Sequence, residues 1–408
     1  MAEKSAKKKE NWLKRRHKVI RNIAYPFFYL YSKWKYGLTV ERLPKAQQRQ
    51  FLILYNHQTP FDQFFVGMTV DAPVYYLATE DIFSNGWISK LLRYAVAPIP
   101  IKKSTTDVRA VMNCIKVARE GGTIAIAPEG NRTYSGKTEY ISPSISTLAR
   151  KLKLPIAFLR LEGGYGVQPR WSDVVRRGTM RARISRIMEP EEIAGLDNDQ
   201  LCDVIRRELD VNEAVADRPF FHKKSAEYLE RAIYVCPQCG LSSFESHGDM
   251  FGCLKCGRKV QYLPTKELRG VGFESPFRFV NDWYEYQSDF INRLDPTLFT
   301  AEPLYRDIAD LYKVIVYQRK ERFRKKAALL LYGDRVVLDA GSDGEIVLPF
   351  PEISAAAVLG RNKLNLYRGD DIYQIRGGKR FNALKYVNLY YRYKNITEDT
   401  KDGKFLGL

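Results

Sequence analysis

Between residues 50 and about 190, short apolar runs recur with helix-like segments between them, and this alternation constrains the fold more than any other feature of the chain. The runs cover residues 51–55, 74–78, 95–101, 123–127, 156–161 and 182–187. Helix-like stretches occupy 107–120, stopped by Gly121-Gly122, and 144–151. Strands alternating with helices predict an α/β fold, with a mixed, mostly parallel sheet flanked by helices on both faces. A helix through 201–209 closes this unit. In open sheets of this kind, ligands and catalysts collect at the carboxyl ends of strands. The residues that follow each run are where chemistry is expected.

The run 51–55 leads into Asn56-His57-Gln58-Thr59-Pro60-Phe61-Asp62. Pro60 keeps Thr59 out of the helical region, so a turn leads from His57 into a helix. A turn of this length can fold the Asp62 carboxylate back onto the imidazole. Such a pair activates a hydroxyl nucleophile, because a neutral imidazole takes the proton and the carboxylate fixes its tautomer. A histidine that merely caps a loop is the alternative. After 95–101 come Lys102 and Lys103, and after 123–127 comes Pro128-Glu129-Gly130-Asn131-Arg132. Lys103 and Arg132 are suited to neutralising a phosphate. Gly130 allows close backbone approach. Together these residues describe a site for transfer to an anionic substrate.

At these positions the chain resembles the 1-acylglycerol-3-phosphate acyltransferases, a glycerolipid acyltransferase family. The first family block, Asn-His-x4-Asp, is matched by Asn56, His57 and Asp62. The third, Pro-Glu-Gly-Thr-Arg, is matched by Pro128, Glu129, Gly130 and Arg132, with Asn131 in place of threonine. The fourth, an apolar stretch with a proline, is matched around Pro155. The second ends in an arginine, for which Lys103 stands here and keeps only the charge. The loop 134–146 lacks the phenylalanine-lysine-glycine pattern of the family. The resemblance covers about residues 40 to 210 and implies a glycerolipid-acyltransferase-like sheet. It implies that His57 deprotonates an acceptor hydroxyl, Asp62 orients the imidazole, and Glu129, Gly130 and Arg132 bind glycerol phosphate, assisted by Lys103. The donor is acyl-CoA or acyl-carrier protein, and the acceptor is 1-acylglycerol-3-phosphate or a related lysolipid. For Glu129, an internal role as the partner of Arg132 is the alternative.

A second signal is Cys236-Pro-Gln-Cys239-Gly followed by Cys253-Leu-Lys-Cys256-Gly. Two Cys-x2-Cys knuckles, each closed by glycine, match a zinc ribbon whose four thiolates hold a structural Zn2+. His247 is expected at the surface. Cys114 and Cys202 are expected as buried small hydrophobes.

The formal charge of +19 calls for an anionic partner: nucleic acid, a membrane face or a phosphorylated substrate. Eleven lysines and arginines stand against two glutamates in residues 1–36, directly before and among aromatics from Tyr25 to Tyr36. That mixture reads as an interfacial segment drawn to anionic phospholipids of the cytoplasmic leaflet. No apolar run reaches the roughly 18 residues of a membrane span. The protein is thus expected to be cytoplasmic and peripherally attached to the inner face of the membrane. Beyond about 310, short strands with Gly, Asp and Asn turns, then a helix over 380–393, predict a small antiparallel β-barrel of pleckstrin-homology-like type. Its basic residues Arg361, Lys363, Arg368, Arg376, Lys379 and Arg380 are candidates to face phospholipid headgroups, with a solvated barrel surface as the alternative. The expected organisation is 1–40 interfacial segment, 41–230 acyltransferase domain, 231–264 zinc ribbon, 265–309 linker of unassigned structure, 310–396 barrel and 397–408 tail. The rival function is a non-enzymatic lipid- or nucleic-acid-binding protein that uses the ribbon and the basic surface.

Overall fold

The computed structural model describes residues 11–101, 107–215, 218–315 and 318–398. Lys102, Lys103, the four lysines within residues 1–10 and residues 399–408 lie outside the described residues.

Seven strands build the first sheet: β1 (Leu38–Val40), β2 (Leu52–Tyr55), β3 (Val74–Thr79), β4 (Ile99–Ile101), β5 (Thr123–Ile126), β6 (Ile156–Glu162) and β7 (Met180–Met188). Their order is β1-β7-β6-β2-β5-β3-β4. Neighbours run parallel except β6 and β7, which is the mixed, mostly parallel sheet expected from the alternation. β2 lies at the centre, and its position explains its unbroken apolar run. Leu52 and Leu54 enter one core with Ile124, Ile156 and Phe158, while Ile53 and Tyr55 enter the other with Ala125, Ala157 and Leu159. A strand buried on both faces has no polar alternation to show. The helices Val108–Arg119, Ser144–Leu152 and Asn198–Leu209 cover the first face through Val117, Ala149 and Ile205. Arg15–Tyr36 and Asp62–Thr69 cover the second through Tyr36 and Phe65.

Two local departures have physical causes. Residues 95–101, expected as one strand, split: Ala95 and Val96 end the helix Trp87–Val96, and only Ile99–Ile101 is strand. Ala97, held before Pro98, leaves the right-handed helical region for φ 42°. The three-residue β1 is too short to show a period in sequence.

The second half is built on one continuous core. A two-stranded unit (Val235–Cys236 and Gly240–Leu241) and a four-stranded antiparallel sheet spanning Phe244 to Gly270 are followed by the helix Val280–Arg293. Then come seven antiparallel strands and the helix Leu384–Thr397. The strand Tyr305–Lys313 pairs with both the next strand, Glu321–Leu331, and the last, Asp371–Gly377. Phe251, Trp283, Leu329, Leu364 and Tyr386 belong to the same cluster, which also takes in Tyr134 and Trp171. Residues 265–309, unassigned from sequence, therefore carry a strand and a packed helix. Gln287, fully buried on that helix, accepts the N–H of Tyr234 at 2.7 Å and donates to the Ala232 carbonyl at 2.9 Å. The polar and aromatic composition of the segment hid a helix whose apolar side faces the ribbon.

Candidate active site and metal cluster

The chemistry-bearing segment begins one residue beyond β2. Asn56 ties that strand end to β6, donating to the Leu161 carbonyl at 2.9 Å and accepting its N–H at 2.8 Å. Asp62, fully buried, starts the next helix and accepts from Gln58 N–H at 2.6 Å, Thr59 N–H at 3.0 Å and Thr59 Oγ1–H at 2.6 Å. His57 Nδ1 lies 2.7 Å from the Asp62 carboxylate. The same carboxylate thus shapes the turn and orients the imidazole. With Nδ1 donating, Nε2 is the nitrogen left to accept a proton. Burial lowers the His57 pKa below its ordinary value, against the opposing pull of Asp62. The ring is therefore a neutral base at neutral pH.

The loop after β5 is stitched to this base. Glu129 Oε1 accepts the backbone N–H of His57 at 2.9 Å, and Oε2 accepts that of Glu139 at 2.9 Å. The N–H of Thr133 reaches the His57 carbonyl at 3.2 Å. Burial pushes the Glu129 carboxyl up to about 8, although both N–H donors favour its charged form. Gly130 sits at φ +66° with open space where a Cβ would be, so backbone conformation and not crowding calls for glycine. Arg132 is 9% exposed, and its Nη1 has no hydrogen-bond partner among the described residues. Burial, then Arg170 and Arg361, lower its pKa to about 9. His57, Asp62, Glu129, Gly130 and Arg132 are brought together; Lys103 lies outside the described residues.

Two arginines at this site had no motif to announce them. Arg170 Nη1 donates to the Arg132 carbonyl at 2.8 Å, and its guanidinium lies over the Tyr134 ring, 4.2 Å from the centroid. Arg361, on the turn after the strand Ala355–Leu359, comes from the C-terminal sheet.

The second constellation is Cys236, Cys239, Cys253 and Cys256, whose sulfurs all lie within 4.8 Å of one another. Cys236 Sγ and Cys256 Sγ are 3.8 Å apart. Tetrahedral zinc–thiolate bonds of about 2.3 Å require sulfurs about 3.8 Å apart, so the donor set fits such an ion. Ser242 Oγ, 3.1 Å from Cys253 Sγ, is placed to support that ligand. His247 points away, exposed and paired with Glu245 at 2.9 Å. Cys114 and Cys202 are buried elsewhere, and burial raises both thiols, Cys114 to about 12.

The family profile described as Acyltransferase matches residues 37–160. The chain is 24% identical over 174 residues to the chloroplastic 1-acyl-sn-glycerol-3-phosphate acyltransferase BAT2 of Brassica napus, across 42% of this chain and 48% of that protein. It therefore spans about half the length of that curated relative. The crystal structure of the 1-acyl-sn-glycerophosphate (LPA) acyltransferase PlsC from Thermotoga maritima matches with a TM-score of 0.40 and 21% identity, over 48% of this chain and 80% of that one. Residues 37–160, which hold both motif blocks at the ends of β2 and β5, are similar to the acyltransferase family.

Proposed function

We propose that the protein is an O-acyltransferase that moves a fatty acyl group from acyl-CoA or acyl-carrier protein to the free hydroxyl of 1-acylglycerol-3-phosphate or a related lysolipid, at the cytoplasmic face of a membrane. The observation that carries this reading is the 2.7 Å contact between His57 Nδ1 and buried Asp62, which leaves Nε2 for a substrate hydroxyl. Nε2 takes the hydroxyl proton as the oxygen attacks the thioester carbonyl carbon. The tetrahedral intermediate then expels the thiolate, which recovers that proton from the imidazolium. No acyl-enzyme forms. Asp62 holds the tautomer and stabilises the imidazolium. Arg132 binds the acceptor phosphate, with Lys103 as a second cation, and Gly130 shapes the loop that presents Arg132. Glu129, with both oxygens bound to backbone N–H groups, positions His57 and does not itself touch the acceptor.

Membrane docking is supported by two apolar helix faces. Phe27, Leu30 and Trp34 stand exposed on Arg15–Tyr36, and Trp87, Leu91 and Tyr94 on Trp87–Val96, with Trp34 78% and Trp87 72% accessible. Arg16 joins the two helices, donating to the Tyr94 carbonyl at 3.0 Å. Aromatics beside cations suit the headgroup level of an anionic leaflet. Among the described residues no helix is long and apolar enough to cross a membrane. The four cysteines hold a zinc ion that is structural, because four thiolates leave no open position. The C-terminal sheet, with its first strand paired to its last and one closing helix, is read as pleckstrin-homology-like.

The test is incubation of the purified protein with labelled acyl-CoA and a panel of acceptors, lysophosphatidate first, with products read by mass spectrometry. Transfer to lysophosphatidate, abolished in a folded His57→Ala variant, is the expected result. Wild-type turnover by that variant overturns the assignment.

A further inference from the structure

Arg361 lies about 230 residues beyond the Glu129–Arg132 loop in sequence, on a turn of the C-terminal sheet, yet the fold brings it to the same place. The link is visible in hydrogen bonds. Arg170 donates through Nη1 to the Arg132 carbonyl at 2.8 Å and through Nη2 to the Val358 carbonyl at 3.2 Å. Val358 belongs to the strand Ala355–Leu359, and Arg361 follows on the turn that strand enters. Arg361 Nη1 is anchored by Asp173 Oδ1 at 3.0 Å, a carboxylate that also serves Arg231 at 2.8 Å.

Two features show that this cluster is incomplete as it stands. Arg132 Nη1 and Arg361 Nε are buried and have no hydrogen-bond partner among the described residues. A buried guanidinium N–H left unpaired is costly, so two of them in arginines linked through Arg170 call for an acceptor that arrives with a ligand. Charge gives the same answer. Arg132, Arg170 and Arg361 belong to one cluster, and among the described residues the carboxylate in direct contact with it is Asp173, already shared with Arg231. The mutual repulsion is evident in Arg132, whose pKa is lowered by burial first and then by its two arginine neighbours. A phosphate monoester, carrying up to two negative charges and presenting several oxygens to planar forks, satisfies both the orphaned donors and the excess charge.

We propose that Arg361 is a specificity residue of the acyltransferase site, completing with Arg132 and Arg170 the subsite for the acceptor's phosphate, so that the C-terminal sheet forms one wall of that site. This rests on the reading of the protein as a lysophospholipid acyltransferase. It goes beyond that reading in making acceptor recognition a joint property of the catalytic and C-terminal units. The phosphates of an acyl-CoA donor share the same chemistry, and the test separates them.

The experiment compares wild type with Arg361→Gln, which keeps the stem and one donor for Asp173, and with Arg368→Ala, a control on the exposed rim of the same sheet. KM and kcat are measured separately for lysophosphatidate, for acyl-CoA and for monoacylglycerol, which lacks the phosphate. Binding of sn-glycerol 3-phosphate is measured by calorimetry without turnover. Arg361→Gln is expected to raise KM for lysophosphatidate and the Kd for glycerol 3-phosphate by about tenfold or more, the loss typical of a charge-assisted hydrogen bond. Values for acyl-CoA and monoacylglycerol, and all values for Arg368→Ala, are expected to stay within about threefold of wild type. Should glutamine disturb folding, Arg361→Lys preserves the ion pair but not the fork, and a loss of about threefold is expected of it. An unchanged Kd for glycerol 3-phosphate, or a rise confined to the KM for acyl-CoA, overturns the proposal. Absence of acyl transfer by wild type defeats the acyltransferase reading instead, and the calorimetric arm still decides whether Arg361 belongs to a phosphate subsite.

Discussion

The backbone N–H of His57 donates to Oε1 of Glu129 across 2.9 Å, joining strand-end loops 72 residues apart. The other Glu129 oxygen takes the N–H of Glu139, so one side chain fixes the base to the loop that carries Arg132. A carboxylate offers two acceptors, whereas an amide offers one acceptor and an NH2 that would meet a backbone N–H head-on. Glu129→Gln is therefore expected to lower kcat by about ten- to a hundredfold through misplacement of His57, with a smaller change in acceptor KM. Steady-state kinetics on the folded variant check this, and an effect confined to KM would contradict it.

The pH dependence follows from a half-buried imidazole and a buried carboxyl. The folded His57 pKa lies below its ordinary value, so the neutral base persists through neutrality. Protonation of His57 itself is expected to lower activity only below the usual imidazole range, by about tenfold per pH unit. Glu129 behaves oppositely, since its folded pKa of about 8 lies above its ordinary carboxyl value. Its contribution to stability is complete in acid below the ordinary value and declines as pH rises through about 8. Thermal unfolding of wild type and Glu129→Gln across pH 5 to 9 measures that decline, which the variant should lack.

Asp62→Asn removes the acceptor for Nδ1–H and stabilises the wrong imidazole tautomer. The expected loss in kcat is about a thousandfold or more, with KM nearly unchanged. Because base and orienter act as one unit, adding Asp62→Asn to His57→Ala should cost little further. A double variant much slower than either single one would argue against the pair.

How far the site was legible in sequence depended on chain separation. His57 and Asp62 are five residues apart and joined by a turn that Pro60 constrains, so their contact could be read directly. Glu129 could be located but its task could not, because the N–H groups it accepts belong to His57 and Glu139 and only tertiary packing sets them before it. Arg170 and Arg361 had no spacing to betray them; β6, the loop to Arg170 and a turn of another sheet had to converge first. The parallel sheet was legible because central strands such as β2 are apolar on both faces. Ala95 and Val96, the last turn of the helix Trp87–Val96, read as strand in sequence because they run straight into the apolar residues of 97–101.

Trp34 and Trp87 stand exposed on two helices that Arg16 holds together. Replacing both by glutamate removes aromatic burial at the headgroup level and adds repulsion from an anionic leaflet. Sedimentation with phosphatidylserine-containing vesicles is expected to fall by about tenfold or more for the double variant, and binding by wild type should weaken with salt. Turnover of a short-chain, water-dispersed acceptor should change little, because neither residue contacts His57. Unchanged vesicle binding would remove these helices from the membrane assignment.

Metal removal tests whether the second half is one unit. Cys236 is buried within the core that runs from Phe251 through Trp283 to Leu364 and Tyr386. A structural zinc contributes about 10–16 kcal/mol of apparent binding free energy, comparable with the whole stability of a typical domain. Chelation should therefore release about one zinc per chain and abolish cooperative unfolding of residues beyond about 220. Phosphate-acceptor binding should fall with it, since Arg361 is carried on that same core. Cys236→Ser, at a buried ligand, is expected to reproduce chelation more fully than Cys256→Ser, whose residue is exposed. Metal analysis, calorimetric melting and glycerol 3-phosphate titration on one preparation measure all three. A zinc-free protein that melts and binds as the untreated one does would separate the four cysteines from the stability of this half. If melting falls while glycerol 3-phosphate affinity is retained, the C-terminal sheet would be structural but not part of the acceptor site, and Arg361 would lose its assigned role.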